Sequence, residues 1–144
     1  MINEPQLTSD DLNRQDANNL PGRLGLKSTY VGKMEAICEM EISSDLLAIN
    51  GYLHAGCIVT LADTTAGYGC LANLPRDANA FTTIELKTNL TGTARSGKLV
   101  STAKCIHAGR TTQVWDSTVK SDSGKTVAEF RCTQLILYPE TSTN

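Results

Sequence analysis

Residues 55–74 read AGCIVTLADTTAGYGCLANL, and this stretch decides the architecture. Cys57, Ile58, Val59, Leu61, Ala62, Ala66, Cys70, Leu71, Ala72 and Leu74 leave almost no polar stripe around a helix. A helix apolar on nearly every side must be surrounded by protein, so this one is predicted at the centre of a domain. Pro75 stops it, and residues 76–79 turn the chain away.

Strands supply the surround. Residues 27–42 set Met34, Ala36, Cys38, Met40 and Ile42 in alternation with Glu35, Glu39 and Glu41, the pattern of one half-buried strand. Four more strand-like runs follow the helix, at 80–90, 98–107, 111–120 and 125–138. A loop at 91–97 and the turns Ala108-Gly109-Arg110 and Asp122-Ser123-Gly124 separate them, the last two being good hairpin punctuation. Strand, buried helix and four antiparallel strands predict an α+β fold in which one sheet wraps a central helix. Residues 1–26 are expected to form a loose polar arm or a short capping helix of little functional content. The domain proper is expected at 27–138, with a polar tail at 139–144.

Composition narrows the functional classes. A chain of 144 residues that is 40% apolar builds one core and not two. Its 13 Lys+Arg against 15 Asp+Glu give a net charge of −2, so no broad positive field awaits a nucleic acid. No run approaches the roughly 20 apolar residues of a membrane span, and residues 1–20 are too polar for a signal peptide. A cytoplasmic protein with neither nucleic-acid nor membrane partner is expected. The five cysteines are odd in number and scattered, which predicts buried free thiols. With His54 and His107 the only histidines, and no Gly-rich phosphate loop, neither a metal nor a cofactor is expected.

One carboxylate stands out. Asp63 is the only acidic residue between His54 and Leu74 and sits in mid-helix, where Asp has poor propensity and burial of a charge is costly. Two explanations are open: it bonds to a neighbouring loop, or it is a functional carboxylate. Upstream, Gly51-Tyr52-Leu53-His54-Ala55-Gly56 runs straight into the helix. Unpaired N–H groups and the positive end of the helix dipole therefore gather at residues 55–57, where small side chains let a carbonyl oxygen approach. His54 is there either as an ordinary polar residue or as part of the site. The nine residues from His54 to Asp63 make a rise of about 13 Å and a rotation of about 900°, which is roughly the opposite face. One helix cannot bring both ends to one substrate, so cooperation between them requires a two-fold dimer with sites shared across its interface.

The run His54-Ala55-Gly56-Cys57-Ile58-Val59-Thr60-Leu61-Ala62-Asp63 resembles the HGG-x4-LA-[DE] signature of hotdog-fold acyl-CoA thioesterases of the phenylacetate-degradation and 4-hydroxybenzoyl-CoA type. The likeness continues through Glu85-Leu86-Lys87-Thr88-Asn89-Leu90 and His107-Ala108-Gly109-Arg110-Thr111-Thr112, and covers about residues 27–138. It implies a hotdog fold and hydrolysis of an aryl or short to medium acyl-CoA thioester. Asp63 would be the general base or nucleophile, and the Ala55 amide the donor to the thioester carbonyl. His54 matches the histidine before it, and Thr83 a Ser/Thr position that holds water. Gly109 and Arg110 fall where relatives contact coenzyme A, with Gly56 and Tyr68 among the substrate-binding residues. The likeness also implies a homodimer, assembled as a dimer of dimers into a homotetramer.

Departures qualify this assignment. The usual Asn or Gln six residues before the histidine is Ala48 here, with Asn50 as the candidate replacement. Gly67 stands where some aryl-CoA enzymes carry a hydroxyl residue. Arg95, Lys98 and Arg110 are each either phosphate contacts or solvated surface charge, and Trp115 is expected as a core or interface residue in preference to a ligand stack. The alternatives to hydrolysis are a non-catalytic acyl-CoA-binding module and a hotdog-fold 3-hydroxyacyl thioester dehydratase.

Overall fold

A computed structural model describes residues 6–140; parts of the expected arm and tail, residues 1–5 and 141–144, lie outside them. The arm holds two helices, α1 (Ser9–Gln15) and α2 (Leu20–Arg23). Thr8 and Asp11 form a reciprocal capping box at the start of α1, and Leu12 is buried in the core at 3% exposure. The strands are β1 (Lys27–Gly32), β2 (Glu35–Glu41), β3 (Ala80–Leu90), β4 (Lys98–Ala108), β5 (Thr112–Ser121) and β6 (Thr126–Leu137), and the central helix is α3 (Ala55–Ala72).

The strand expected over 27–42 is two strands. The chain reverses after Gly32, with Met34 at φ 58 and exposed rather than inward-facing. A distant residue holds this turn: the Asn73 side chain accepts from the Met34 N–H at 3.0 Å and donates to the Gly32 carbonyl at 2.9 Å. The inward register belongs to β2 alone, where Ala36, Cys38 and Met40 are buried. The four later strands end within about a residue of their expected limits.

All six strands form one antiparallel sheet in the order β1-β2-β4-β5-β6-β3, and α3 packs against every one of them. This is the hotdog fold. Small residues set how closely the helix approaches. A Cβ on Gly69 would lie 2.5 Å from the ring of the fully buried Trp115, and one on Gly67 would lie 3.1 Å from the Phe81 ring. Trp115 is therefore a core residue, and its indole N–H donates to Gln113 Oε1 at 2.8 Å. Buried Ser117 donates to the Ala62 carbonyl at 2.9 Å, fixing α3 on the sheet one residue before Asp63. No helix of the described residues is long and apolar enough to cross a membrane.

The two sheet edges differ. At β1 the Asn13 side chain donates to the Ser28 carbonyl at 3.0 Å and accepts from its N–H at 2.8 Å, so the arm covers that edge. The outer edge of β3 has no strand beside it among the described residues, and Ile84, Leu86 and Leu90 are exposed along it. A long open edge with apolar side chains is a ready pairing surface.

Candidate active site

Asp63 lies in the middle of α3, half-buried, with Oδ1 enclosed and without a hydrogen-bond partner among the described residues. Burial raises its pKa above the ordinary carboxylate value. The explanation of Asp63 as a loop-bonding residue thus finds no partner for that oxygen. Beside it opens a cavity of about 310 Å³, which also receives Gly67, Tyr68, Leu71, Phe81 and Thr83. Thr83 Oγ1 donates to Gln134 Oε1 at 2.8 Å, so its lone pairs are what it offers the cavity. Gln134, fully buried on β6, was not among the expected site residues. Its signal was present, a polar residue in the inward register of Phe130, Cys132 and Ile136.

The amino-terminal end of α3 opens on a different cavity, lined by Asn50, His54, Ala55, Leu90 and Thr91 among others. His54 caps the helix in extended conformation (φ −61, ψ 133), and its Nδ1 accepts from the Gly56 N–H at 2.8 Å, which leaves Nε2–H as the ring's donor. Cys57 N–H is bonded to the His54 carbonyl at 2.9 Å. The Ala55 amide has no such partner among the described residues, which makes it the free donor at this helix end. Gly56, whose own N–H is taken, contributes by its small size. Asn50 Oδ1 accepts from the Tyr52 N–H at 3.1 Å, so the Asn50 carbonyl oxygen is committed to its own loop and Nδ2 is the donor remaining.

Gly109 and Arg110 form the β4–β5 turn, at a third cavity shared with Lys33, Asn73 and Pro75. The Gly109 N–H bonds the Thr112 carbonyl at 2.9 Å, and the exposed Arg110 guanidinium lies 5.8 Å from the centre of the Tyr138 ring. Arg95 stacks on Tyr52 at 4.1 Å, and Lys98 is paired with Glu39 at 3.3 Å. Within one protomer the expected residues therefore fall into three groups: Asp63 with Gly67, Tyr68 and Thr83; Asn50 with His54 and Ala55; and Gly109 with Arg110. The three cavities share no lining residue.

Residues 50–128, more than half of the chain, match the model of the thioesterase superfamily. The chain belongs to the thioesterase superfamily. It is 30% identical over 110 residues to a 1,4-dihydroxy-2-naphthoyl-CoA hydrolase of Listeria monocytogenes, covering 76% of this chain and 89% of the relative. An Escherichia coli protein of the same name is 27% identical over 140 residues, 95% of this chain and 100% of the relative. A crystal structure of a single-residue mutant of thioesterase PA1618 from Pseudomonas aeruginosa superposes with TM-score 0.86 at 26% identity, over 94% of this chain and 96% of that one. In fold alone, the PaaI protein of the Escherichia coli phenylacetic acid degradation operon is also similar, with TM-score 0.80 at 24% identity over 90% of this chain and 91% of that one.

The chain is thus a thioester hydrolase, and its cysteines are poorly suited to carry that hydrolysis. Cys38, Cys70 and Cys132 have thiols pushed up to about 12 by burial, and burial raises Cys57 and Cys105 as well. A thioesterase nucleophile drawn from these would be a protonated thiol near neutral pH.

Proposed function

We propose that this thioesterase hydrolyses an aryl or short to medium acyl-CoA thioester to the free acid and CoA, in sites built from two chains. Asp63 of one chain acts as general base on water or as the nucleophile, and the Ala55 amide of the other polarises the thioester carbonyl. The observation that carries the proposal is the buried, unpartnered Oδ1 of Asp63 at a cavity separate from the one holding the free amide. Keeping a carboxylate there costs stability, and a binding module without chemistry has no use for it. A thiol-release assay over benzoyl-, phenylacetyl-, hydroxybenzoyl- and fatty acyl-CoA esters tests the reading. Turnover of none of them contradicts it.

The open edge of β3 supports the two-chain site. Thr83 lines the Asp63 cavity and Leu90 the Ala55 cavity, from opposite ends of this one strand. Antiparallel pairing of two copies of β3 about residues 86–87 sets the Thr83 end of one beside the Leu90 end of the other, and so each carboxylate cavity beside the partner's free amide. The pairing also covers Ile84, Leu86 and Leu90. A dimer of dimers and a cytoplasmic location, where free CoA esters are found, complete the proposal.

Two substitutions probe the periphery of this site. Thr83→Ala removes the donor to buried Gln134 Oε1 and the oxygen that accepts a water proton, and is expected to lower kcat about tenfold with a stability loss of about 1–2 kcal/mol. An unchanged kcat with lowered stability assigns Thr83 to the strand alone. Arg110→Ala is expected to raise KM for full CoA esters by roughly tenfold and to leave that of an N-acetylcysteamine thioester almost unaltered, since only the former carries phosphates. Equal shifts for both substrates argue for a structural Arg110.

A further inference from the structure

The N-terminal arm, expected to carry little functional content, closes the cavity beside Asp63 and brings an acid to it. Leu12, Gln15, Asp16 and Pro21 all line that cavity. The arm is a fixed wall: Leu12 is buried in the core, Asn13 is bonded to both backbone groups of Ser28, and the Asp16 carbonyl accepts from the N–H groups of Asn19 and Gly22 at 3.0 and 3.2 Å. The Asp16 carboxylate is held at both oxygens. Oδ2 accepts from the Tyr68 hydroxyl at 2.5 Å and Oδ1 from the Asn19 side chain at 2.8 Å.

Neither partner is a cation. Burial, reinforced by Asp16, keeps the Tyr68 hydroxyl protonated, so it donates a hydrogen bond without neutralising charge. Among the residues lining the cavity are two carboxyl groups, Asp16 and Asp63, and no Lys, Arg or His. An anionic group entering this partly dehydrated space meets like charge from these two residues and no cation from the residues of this chain that line it.

We infer that Asp16 is a specificity-determining residue that restricts the acyl group to uncharged chains or rings and rejects acyl-CoA thioesters whose acyl group ends in a carboxylate. The inference rests on the reading of the protein as an acyl-CoA hydrolase acting at the Asp63 cavity.

Hexanoyl-CoA and adipoyl-CoA test it, since they share six carbons and differ by a terminal carboxylate. The wild-type protein is expected to favour hexanoyl-CoA in kcat/KM by about tenfold or more, the size of like-charge repulsion across about 10 Å near a protein surface. Asp16→Asn keeps an acceptor for Tyr68 and is expected to reduce that ratio by about tenfold. Gln15→Lys, at an exposed position of the same wall, places a cation there without touching Asp16 and should reduce the ratio too. A wild-type ratio near one, or an unchanged ratio in folded Asp16→Asn, overturns the role of Asp16 and leaves the hydrolase intact. If neither these esters nor the wider panel are hydrolysed at all, the hydrolase reading fails and this inference falls with it.

Discussion

Asp63→Asn is expected to lower kcat by about 10² or more while the protein stays folded and still binds CoA esters. Asparagine keeps nearly the volume of aspartate but can neither take a proton from water nor attack a thioester. The environment adds two further signatures. Because burial raises the pKa of Asp63, the wild-type kcat should climb with pH through a value above the ordinary carboxylate range, the ionised form being the active one. The same burial makes Asp63 a liability to the fold. An acid whose folded pKa lies above its unfolded pKa favours folding only while protonated, so stability falls as pH rises through the folded value. Asp63→Asn should therefore melt at a higher temperature than wild type at pH 8, with the gap narrowing toward pH about 4. A mutant that turns over at the wild-type rate, or that loses stability at pH 8, contradicts the role given to this carboxylate.

Ala55→Pro is expected to be comparably severe, by about 10² to 10³ in kcat, because it deletes the amide that, among the described residues, is left free at the helix end. The neighbouring N–H groups of Gly56 and Cys57 are already bonded to His54. The backbone accepts the change: Ala55 is the first residue of α3, where proline's missing donor costs little, and His54 before it already has the extended ψ of 133 that a following proline demands. A folded Ala55→Pro protein with wild-type kcat would remove the oxyanion hole from that position.

How much of this could be read beforehand depends on how far each determinant lies along the chain. The buried helix was legible because residues 57–72 carry no polar stripe, and Asp63 was legible because it interrupts them. The separation of Ala55 from Asp63, about 12 Å along the helix axis, follows from helical geometry alone. The β1–β2 turn was not legible, since the alternation of Met34, Ala36, Cys38 and Met40 runs across it and the residue that holds it, Asn73, lies 39 positions away. The contacts of the arm are illegible for the same reason. Leu12 and Asp16 look like ordinary members of a polar segment until Tyr68, 52 residues on from Asp16, is placed beside them. Gln134 needed the inward register of β6, which only the paired sheet makes plain.

The shared site has a direct measurement. Asp63→Asn and Ala55→Pro proteins, each nearly inactive alone, are mixed and allowed to exchange chains, with exchange followed by native mass spectrometry. In a mixed dimer one site combines an intact carboxylate with an intact amide, and the other carries both lesions. Random reassociation gives about half mixed dimers, so activity is expected to return to roughly a quarter of wild type. If chains exchange, both mutants are folded and no activity returns, the site does not lie across two chains and the account is wrong.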